Sequence, residues 1–354
     1  MAGFTFAPLS SRIRQKLPGG RALEASATET IIVCPAENQG MRPAVYPDGE
    51  LERITGVHEF SAGLDDEVHL ATRDHVEHTC TIAMRLRNVH LASGQLCNNS
   101  SLKRLTFGHS PAAPMRTRRM DETVAFCSTA AGNDYFAHFL LDDATTAILG
   151  TEWGMPVFGG SMKARTSQMF DYLSYCEVPY TEMAATYFRD LWLFTDHAQK
   201  SHRRARLQKL RDRLGDRFSG IQPANPAYIR RDTTGSQRVL ENESEIEAEL
   251  SKRGFNIVDP EAMTTEQVCR MLSQTSLVVG VEGSQLVHGL LNMRPGGGLL
   301  CIQPAARFNA VYRGFCNSMG LEWGFVVAEG TADRFRVPTA RLLAAIDATL
   351  EVAG

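Results

Sequence analysis

The sequence predicts an α/β protein of two domains, with a parallel sheet favoured in the first and a doubly wound sheet in the second. Three observations support this prediction. The chain has 354 residues, which is enough for two domains of ordinary size. Strand-like and helix-like segments alternate from Glu122 onward, the order typical of βαβ units. Hydrophobic residues make up 43% of the chain and charged residues 22%, so each half has the apolar content for a core.

Charge and cysteine usage limit the function classes. A formal net charge of -3 gives no reason to expect nucleic-acid binding. The eight cysteines form no CxxC pair and no zinc-type spacing, so we expect buried, reduced thiols and no metal site. The N-terminus lacks a signal-peptide pattern, and no apolar run reaches the length of a membrane span. We expect a cytoplasmic protein that, where it serves a membrane process, acts from the inner face of the membrane.

The first domain is expected to cover residues 1–200, with an irregular, β-rich region over its first 120 residues. The short strand-like runs in that region are Thr30–Val33, Val68–Ala71, Thr81–Leu91 and Leu102–Phe107. Further along, strands are predicted at 123–129, 155–160 and 186–194, alternating with helices at Tyr135–Leu149 and Arg165–Cys176. This alternation favours a parallel sheet.

A strongly basic helix is predicted over Lys200–Arg213, followed by the break GIQPANP. One interpretation is contact with an anionic partner such as a membrane surface, which implies peripheral membrane association. The other is a solvated linker helix, and it is favoured because runs of charge usually coat exposed faces. We place the domain boundary between Thr195 and Asn225.

The second domain is expected to cover residues 220–337, followed by a C-terminal helix over 338–354. Strands are predicted at 227–231, 254–259, 276–283, 298–304 and 323–328, and helices at Asn242–Arg253, Thr264–Ser273, Ser284–Asn292 and Phe308–Met319. The spacings of Asn242 with Glu245 and of Thr264 with Gln267 match a capping box. Pro338 suits the first turn of the last helix, where its missing N–H costs least.

Ligands of open parallel sheets bind outside the carboxyl ends of the strands, which directs attention to Glu282-Gly283-Ser284. A helix begins there, and its free backbone N–H groups suit a phosphate. Glu282 would accept hydrogen bonds from ribose or sugar hydroxyls. The alternative is a plain strand–turn–helix with a capping serine. Tyr312, on a later helix, is expected either at the cleft or in the core.

Arginines follow another strand of the second domain. Arg230 and Arg231 stand at the strand end, Arg238 follows a polar loop, and Asn242-Glu243 begins a helix. Guanidinium groups bind phosphate through paired hydrogen bonds and stay charged at any relevant pH. The alternative is ordinary surface arginine.

The helix after Asn133 carries His138, Asp142 and Asp143. His138 and Asp142 are four residues apart and therefore share one helical face. A carboxylate beside an imidazole can hold its tautomer and raise its basicity, which suits a base that deprotonates an acceptor hydroxyl. The alternative is a helix with one packed histidine and two surface acids.

Together these segments resemble glycosyltransferase family 61. The family has an N-x-Y-x-H-F-x-x-D motif, an arginine segment ending in N-E, an E-Q helix and a V-G-x-H-G-x-x-L-x-N turn. The corresponding pieces here are NDYFAHFLLD, IRRDTTGSQRVLENE, MTTEQVCRMLSQTSLVVG and VEGSQLVHGLLNM, in the same order. The similarity runs from about Asn133 to Pro304.

The resemblance implies a GT-B-like fold, in which two Rossmann-like domains face a cleft. It implies inverting transfer from a nucleotide-sugar donor to a glycan, lipid-linked or other surface-polysaccharide acceptor, with no obligatory metal and no further cofactor. It assigns the base and its orienting partner to His138 and Asp142, in either order. The donor-site candidates that it implies are Arg230, Arg238, Asn242, Glu243, Gly283 and Ser284.

The chain differs from the family pattern at two positions of the last motif. Glu282 stands where the family has histidine, and His288 stands where it has asparagine. We include both among the donor-site candidates. A non-catalytic relative that binds nucleotide sugars or glycans as a partner subunit is the alternative function.

Overall fold

A computed structural model describes residues 3–16, 21–107, 114–159, 166–231 and 237–353. Its contacts divide the chain into two compact units. Unit 1 comprises Met1–Glu37 and His78–Ala198, and unit 2 comprises Asn38–Glu77 and Gln199–Gly354. The segment Asn38–Glu77 lies inside the range expected for the first domain, yet it packs with the second.

The described residues as far as Thr195 form strands and helices in the following order. They are β1 (Gly3–Thr5), α1 (Ala7–Gln15), β2 (Arg21–Ala22), β3 (Glu29–Cys34), β4 (Glu37–Gly40), α2 (Leu64–Thr72), β5 (His75–His78), β6 (Thr81–Ala92), β7 (Gln95–Cys97), β8 (Ser101–Arg104), β9 (Met115–Phe126), α3 (Ala130–Asp134), α4 (Phe136–His138), α5 (Ala144–Gly150), β10 (Met155–Gly159), α6 (Ser167–Tyr175), β11 (Glu182–Met183) and β12 (Thr186–Thr195). A π-helical turn, Phe139–Asp143, joins α4 to α5.

The later described residues continue the alternation of strand and helix. They form α7 (Ser201–Arg217), β13 (Ala227–Ile229), β14 (Val239–Leu240), α8 (Glu243–Lys252), β15 (Asn256–Val258), α9 (Thr265–Leu272), β16 (Leu277–Val281), α10 (Val287–Asn292), β17 (Gly298–Pro304), α11 (Val311–Met319), β18 (Glu322–Gly330), β19 (Arg334–Arg336) and α12 (Thr339–Val352).

Unit 1 is built on one mixed sheet whose main path runs β11-β10-β9-β12-β6-β7-β8-β2. Strands β10, β9 and β12 are parallel neighbours, and β6 pairs with β12 in the antiparallel sense. Fully buried Val124, Phe126, Val157 and Leu191 lie in its core, which is why these strands are almost continuously apolar. The carboxyl ends of β9 and β10 meet at the edge where α3 begins.

Unit 2 contains a doubly wound sheet, as the alternation predicted. Five parallel strands lie in the order β18-β17-β16-β13-β15, and β19 runs antiparallel beside β18 with β14 beyond it. The chain leaves β13 for β15 on one side and later returns to β16 on the other. The topological switch point therefore lies between β13 and β16, and ligands of such sheets bind outside the carboxyl ends of the strands at that point.

The segment Asn38–Glu77 is fastened to unit 2 by hydrogen bonds to its backbone. The guanidinium of Arg313, on α11, donates to the carbonyls of Leu70 (2.7 Å), Arg42 (2.8 Å) and Arg73 (2.7 Å). Arg313 is only 2% exposed, so these bonds also satisfy a buried charge. Strand periodicity does not indicate which sheet a loop-rich segment packs against. The sequence therefore assigned Asn38–Glu77 to the first domain, with the residues that flank it in the chain.

Two of the local predictions are wrong. Val68–Ala71 is helical and lies within α2, whose first turn carries Asp65, Asp66 and Glu67, acids that favour a helix N-terminus. Asn242 precedes α8 without a side-chain cap, because its Oδ1, the atom that would cap the helix, accepts instead from the Val337 N–H (3.4 Å). The capping box of Thr264 and Gln267 before α9 is confirmed.

The basic helix α7 is not a solvated linker. Arg203, Arg206 and Arg211 are 0%, 7% and 7% exposed. Arg211 donates to the Met293 carbonyl (2.6 Å) and to the Leu290 carbonyl, so its charge ties α7 to the end of α10. All eight cysteines lie in the described residues, where seven are buried as expected of core thiols. Gly160 and Arg165, at the ends of two predicted elements, lie outside the described residues, as does the loop 232–236.

Candidate functional site

The switch point of unit 2 brings together two segments that the sequence singled out. β13 and β16 are parallel neighbours with Ile229 opposite Gly280. Arg231 therefore follows the carboxyl end of one strand where Glu282 follows the carboxyl end of the other. The arginine segment and the Glu282-Gly283-Ser284 turn share the edge where a doubly wound sheet binds its ligand.

Two guanidinium groups hold the Glu282 carboxylate. Its Oε2 accepts from Nη1 of Arg238 and from Nη1 of Arg307 (3.1 Å). The Arg238 group also donates to the Glu282 carbonyl. The side chains of Arg238, Glu282 and Arg307 are 9%, 8% and 14% exposed, so the three charges interact with little screening by solvent. Burial, followed by the nearby charge of Arg238, lowers the pKa of Arg307.

Arg231 contacts the same turn. Its Nη1 donates to Gln285 Oε1 (3.2 Å) and to the Glu282 carbonyl (3.4 Å). A Cβ at position 283 would lie 1.8 Å from that Nη1 atom. Gly283 is therefore required for the approach of Arg231 to the turn, and any other residue there would displace the guanidinium.

Tyr312 supports the Glu282-Gly283 turn through a hydrogen bond to its backbone. It is 2% exposed, and its hydroxyl donates to the Gly283 carbonyl (2.5 Å), so it belongs to the core and also supports the site. Burial raises the pKa of Tyr312 well above its usual value. Ser284 is partly exposed at the start of the following 3-10 turn. His288 is 1% exposed in α10 and so presents almost no surface to a ligand; burial lowers its pKa to about 3.

Arg230 lies away from this cluster. Its guanidinium donates to both carboxylate oxygens of Glu247 (2.5 and 2.7 Å) and to Asp259 (3.1 Å). Successive side chains at a strand end point in opposite directions, so Arg230 and Arg231 cannot both face the Glu282 turn. The structure brings Arg231 and Arg238 to the turn and ties Arg230 to acids.

Asn242 and Glu243 make contacts inside unit 2. Asn242 is 6% exposed and pairs with the backbone of Val337, accepting from its N–H (3.4 Å) as well as donating to its carbonyl. Glu243 accepts from the Tyr228 hydroxyl (2.7 Å), and burial raises the pKa of this carboxyl group. These hydrogen bonds join Asn242 and Glu243 to other parts of unit 2 and give both residues a structural role.

Two residues beside the Glu282 turn, Arg307 and His58, were not among the candidates predicted from the sequence. Arg307 ends the 3-10 turn that follows β17, so the strand-end rule could have found it. His58 belongs to the inserted segment: Gly56 N–H donates to the Ala305 carbonyl (3.0 Å) and His58 N–H to the Phe308 carbonyl (3.1 Å). These bonds hold His58 beside Arg307. No signal in the sequence connects two positions so far apart in the chain.

The His58 side chain, beside Arg307, is an uncharged hydrogen-bond donor. Burial and the charge of Arg307 lower its pKa, so the ring is neutral near pH 7. Its Nδ1 accepts from the backbone N–H of Phe60 (3.2 Å), which leaves the ring proton on Nε2. A neutral imidazole N–H can donate to a phosphate or hydroxyl oxygen without adding charge.

In unit 1 the predicted pair of His138 and Asp142 is in contact, with 2.6 Å between Nδ1 and Oδ2. The pair spans the π-helical turn Phe139–Asp143, a distortion found frequently at functional sites. The His138 side chain is 32% exposed and that of Asp142 is 12%. With Nδ1–H donated to the carboxylate, Nε2 is the nitrogen that can accept a proton.

Asp143 is not a surface acid. It is fully buried and accepts from Thr129 through the backbone N–H (3.1 Å) and the hydroxyl (2.8 Å). A Cβ on Gly132 would lie 2.0 Å from Asp143 Oδ2, so α3 packs directly on this carboxylate. The Asn133 amide donates to the Leu105 carbonyl (2.8 Å). These bonds fix α3, the short helix that precedes the helical turn of His138.

Both groups of residues overlap a region that matches a protein-family model. Residues 136–300 match the family model described as Glycosyltransferase 61. The resemblance drawn from the motifs is thereby confirmed, and the family indicates a glycosyltransferase. The glycosyltransferase 61 region contains His138, Asp142, Arg231, Arg238 and the Glu282 turn. His58 and Arg307 lie outside it.

No match was found among curated proteins. Among the residues that the structure describes, no group of three or more His, Cys, Asp or Glu side chains is arranged to hold a metal ion. Within those same ranges, no helix has the length and apolar content needed to cross a membrane.

Proposed function

We propose that the chain is an inverting glycosyltransferase that moves a sugar from a nucleotide-sugar donor to a hydroxyl of a glycan, lipid-linked or other surface-polysaccharide acceptor. The observation that carries the proposal is the convergence of Arg231, Arg238 and Arg307 on the Glu282-Gly283 turn at the switch point of unit 2. The family match independently supports a glycosyltransferase.

The charge of the cluster suits a diphosphate. Three guanidinium groups and one carboxylate leave two net positive charges, which complement the two negative charges of a nucleoside diphosphate sugar. Guanidinium groups bind such oxygens in pairs, and little solvent screens the buried charges. His58 Nε2–H adds a neutral donor to the group. We assign donor binding to this cluster in unit 2.

The base is assigned to the pair in unit 1. His138 would take the proton of the acceptor hydroxyl on Nε2, while Asp142 holds Nδ1–H and stabilises the imidazolium that forms. The acceptor oxygen then forms its bond to the anomeric carbon as the bond to the diphosphate oxygen breaks, and the configuration inverts. The arginines stabilise the charge on the departing diphosphate, so this step calls for no obligatory metal. The GT-B-like arrangement implied by the family resemblance is part of the proposal.

A thermal-shift screen against UDP, GDP, CMP and TDP sugars tests donor binding, because a ligand of the folded state raises the apparent melting temperature. We expect one nucleotide class to stabilise the protein, and Arg238→Gln to abolish that shift. The matched control is Arg334→Gln, which removes an exposed arginine paired only with exposed Glu241. The donor site is refuted when no class stabilises the protein or when both variants behave alike.

Turnover is then measured with the donor that binds. Removing Arg238 should raise the donor KM and lower kcat by about 100-fold, since the interaction is made with the leaving group. The second candidate function is a non-catalytic nucleotide-sugar or glycan-binding subunit, favoured by the Glu282 carboxylate that already occupies two of the arginines. Donor binding without hydrolysis or transfer, with an acceptor panel present, would establish that candidate in place of the enzyme.

A further inference from the structure

The N-terminal strand and helix of unit 1 direct large apolar side chains outward. The exposed members are Phe4 (61%), Phe6 (59%), Leu9 (39%) and Ile13 (53%). Phe6, Leu9 and Ile13 are spaced three and four residues apart and therefore share one side of α1. The rings of Phe4 and Phe6 contact each other edge to face with 5.4 Å between centroids. We call these four residues the N-terminal patch.

The helix buries its small residues instead. Ala7, Pro8 and Ser11 are the buried members of α1. Two local hydrogen bonds stabilise its first turns: Ala7 N–H donates to Thr5 Oγ1 (3.1 Å), and Ser11 Oγ donates to the Ala7 carbonyl (2.7 Å). A helix that buries alanine and exposes isoleucine reverses the usual amphipathic arrangement. A contiguous exposed apolar cluster of this kind marks an interaction surface.

Basic residues lie in the same segment as the N-terminal patch and on the strands next to it. Residues 3–16 contain Arg12, Arg14 and Lys16 and no acidic residue. Strand β1 pairs with β9 so that Phe4 lies opposite the exposed Arg116. Helix α1 also packs on β8, which ends in the exposed Arg104. Glu24 pairs with Lys103 of β8 (2.5 Å).

We propose that the N-terminal patch, with Arg12, Arg14 and Lys16, binds the surface of an anionic lipid bilayer. Peripheral membrane helices combine an apolar side that enters the headgroup region with basic residues that attract anionic lipid. A second copy of the chain suits the surface less well, because a symmetric contact would bring the basic residues of both copies together. The inference is independent of the donor site.

The assignment also relocates a membrane contact that the sequence suggested for Lys200–Arg213. Three arginines of that helix are buried, and Arg211 is bonded to backbone carbonyls within unit 2. Lys209 remains exposed on α7 and supplies a test of that alternative location.

The experiment is sedimentation of the full chain with vesicles, comparing pure phosphatidylcholine with phosphatidylcholine and phosphatidylglycerol in roughly a three to one ratio. We expect binding to the anionic vesicles that weakens with salt. Arg14→Gln with Lys16→Gln should weaken it about 30-fold, about fivefold per charge. Phe6→Ala and Ile13→Ala should each weaken it about tenfold by removing apolar surface that enters the bilayer.

Two variants serve as matched controls. Ile32→Ala removes an apolar side chain that is equally exposed at 61%, from β3, and Lys209→Gln removes an exposed charge from α7. Neither should change vesicle binding. Because Arg14 and Lys16 are exposed, their double variant tests the proposal even where an apolar variant folds poorly, and melting curves check each fold.

Three outcomes would overturn the proposal. The first is that the wild-type chain does not bind anionic vesicles. The second is that the control variants weaken vesicle binding as much as the patch variants do. The third is that the chain is a dimer in solution and that Ile13→Ala converts it to a monomer. The last outcome, seen by sedimentation velocity, would make the patch a contact between copies of the chain.

Discussion

Glu282→Gln removes the negative charge from the centre of the arginine cluster while keeping the size of the side chain. In the wild-type chain Oε2 of Glu282 accepts from both Arg238 and Arg307, and all three side chains are largely buried. Hydrogen bonds to charged groups contribute roughly 1.5–3 kcal/mol each. Removing one partner of a buried ion pair costs roughly 3–5 kcal/mol. Because glutamine keeps a carbonyl oxygen for one guanidinium, we expect a loss of about 3 kcal/mol, near the lower end of that range.

The same substitution should strengthen anion binding. In the wild-type protein a phosphate must compete with the Glu282 carboxylate for Arg238 and Arg307. Without that carboxylate the cluster carries three positive charges, and a repulsive charge within a few ångström of the ligand is gone. We expect pyrophosphate to bind about tenfold more tightly, which corresponds to about 1.4 kcal/mol.

Differential scanning fluorimetry measures the first effect and isothermal titration calorimetry with pyrophosphate the second. For a domain of this size, about 3 kcal/mol lowers Tm by roughly 6–12 °C. The matched control is Glu241→Gln, whose wild-type carboxylate makes an exposed pair with Arg334 (3.2 Å) that contributes little. A Glu282→Gln variant that melts like the control variant, or that binds pyrophosphate no more tightly than the wild-type chain does, would show that Glu282 is not the buried counter-ion of Arg238 and Arg307.

Burial lowers the pKa of His288 to about 3, so its stabilising contribution is complete above about pH 6.5, the value of an unfolded histidine, and falls as pH drops toward 3. The wild-type chain should therefore lose about 2 kcal/mol more than His288→Asn between pH 7 and pH 5, measured by urea unfolding; equal losses would contradict the burial. Tyr312→Phe, which removes the bond to the Gly283 carbonyl, should cost about 1–2 kcal/mol in the same assay and weaken pyrophosphate binding, and unchanged binding would remove its supporting role. His138→Gln should lower kcat by about 100-fold or more with the donor KM unchanged, and a normal kcat would end its assignment as base.

Much of the fold of unit 2 was predictable because its segments obey local rules. β17 begins and ends at the predicted residues, Gly298 and Pro304, since a continuous apolar run between turn residues is typical of a strand buried on both faces. The capping box before α9 was predictable because both of its bonds join residues three apart in the chain. Unit 1 was harder, since its first strands are short and their pairing is mixed.

The candidate site was predictable only in part. The contact between His138 and Asp142 follows from helical spacing, and the Glu282 turn follows from its place after a buried strand. Arg238 was predicted as a candidate because an arginine beside a polar loop at a strand end suits the binding of phosphate. The choice between Arg230 and Arg231 was not predictable, because it depends on which way each side chain points where the strand ends.

The sequence by itself determined the alternation of strand and helix, the family of the central region and the residue types able to hold a diphosphate. Those properties follow from the periodicity of apolar residues and from motifs of residues that are close together in the chain. Only the tertiary structure decided that Asn38–Glu77 packs with the second unit, that His58 and Arg307 join the arginines, and that α1 turns its apolar side outward. These outcomes depend on contacts between residues distant in the chain, whose free energies come from burial and from pairing of charges that no local pattern records.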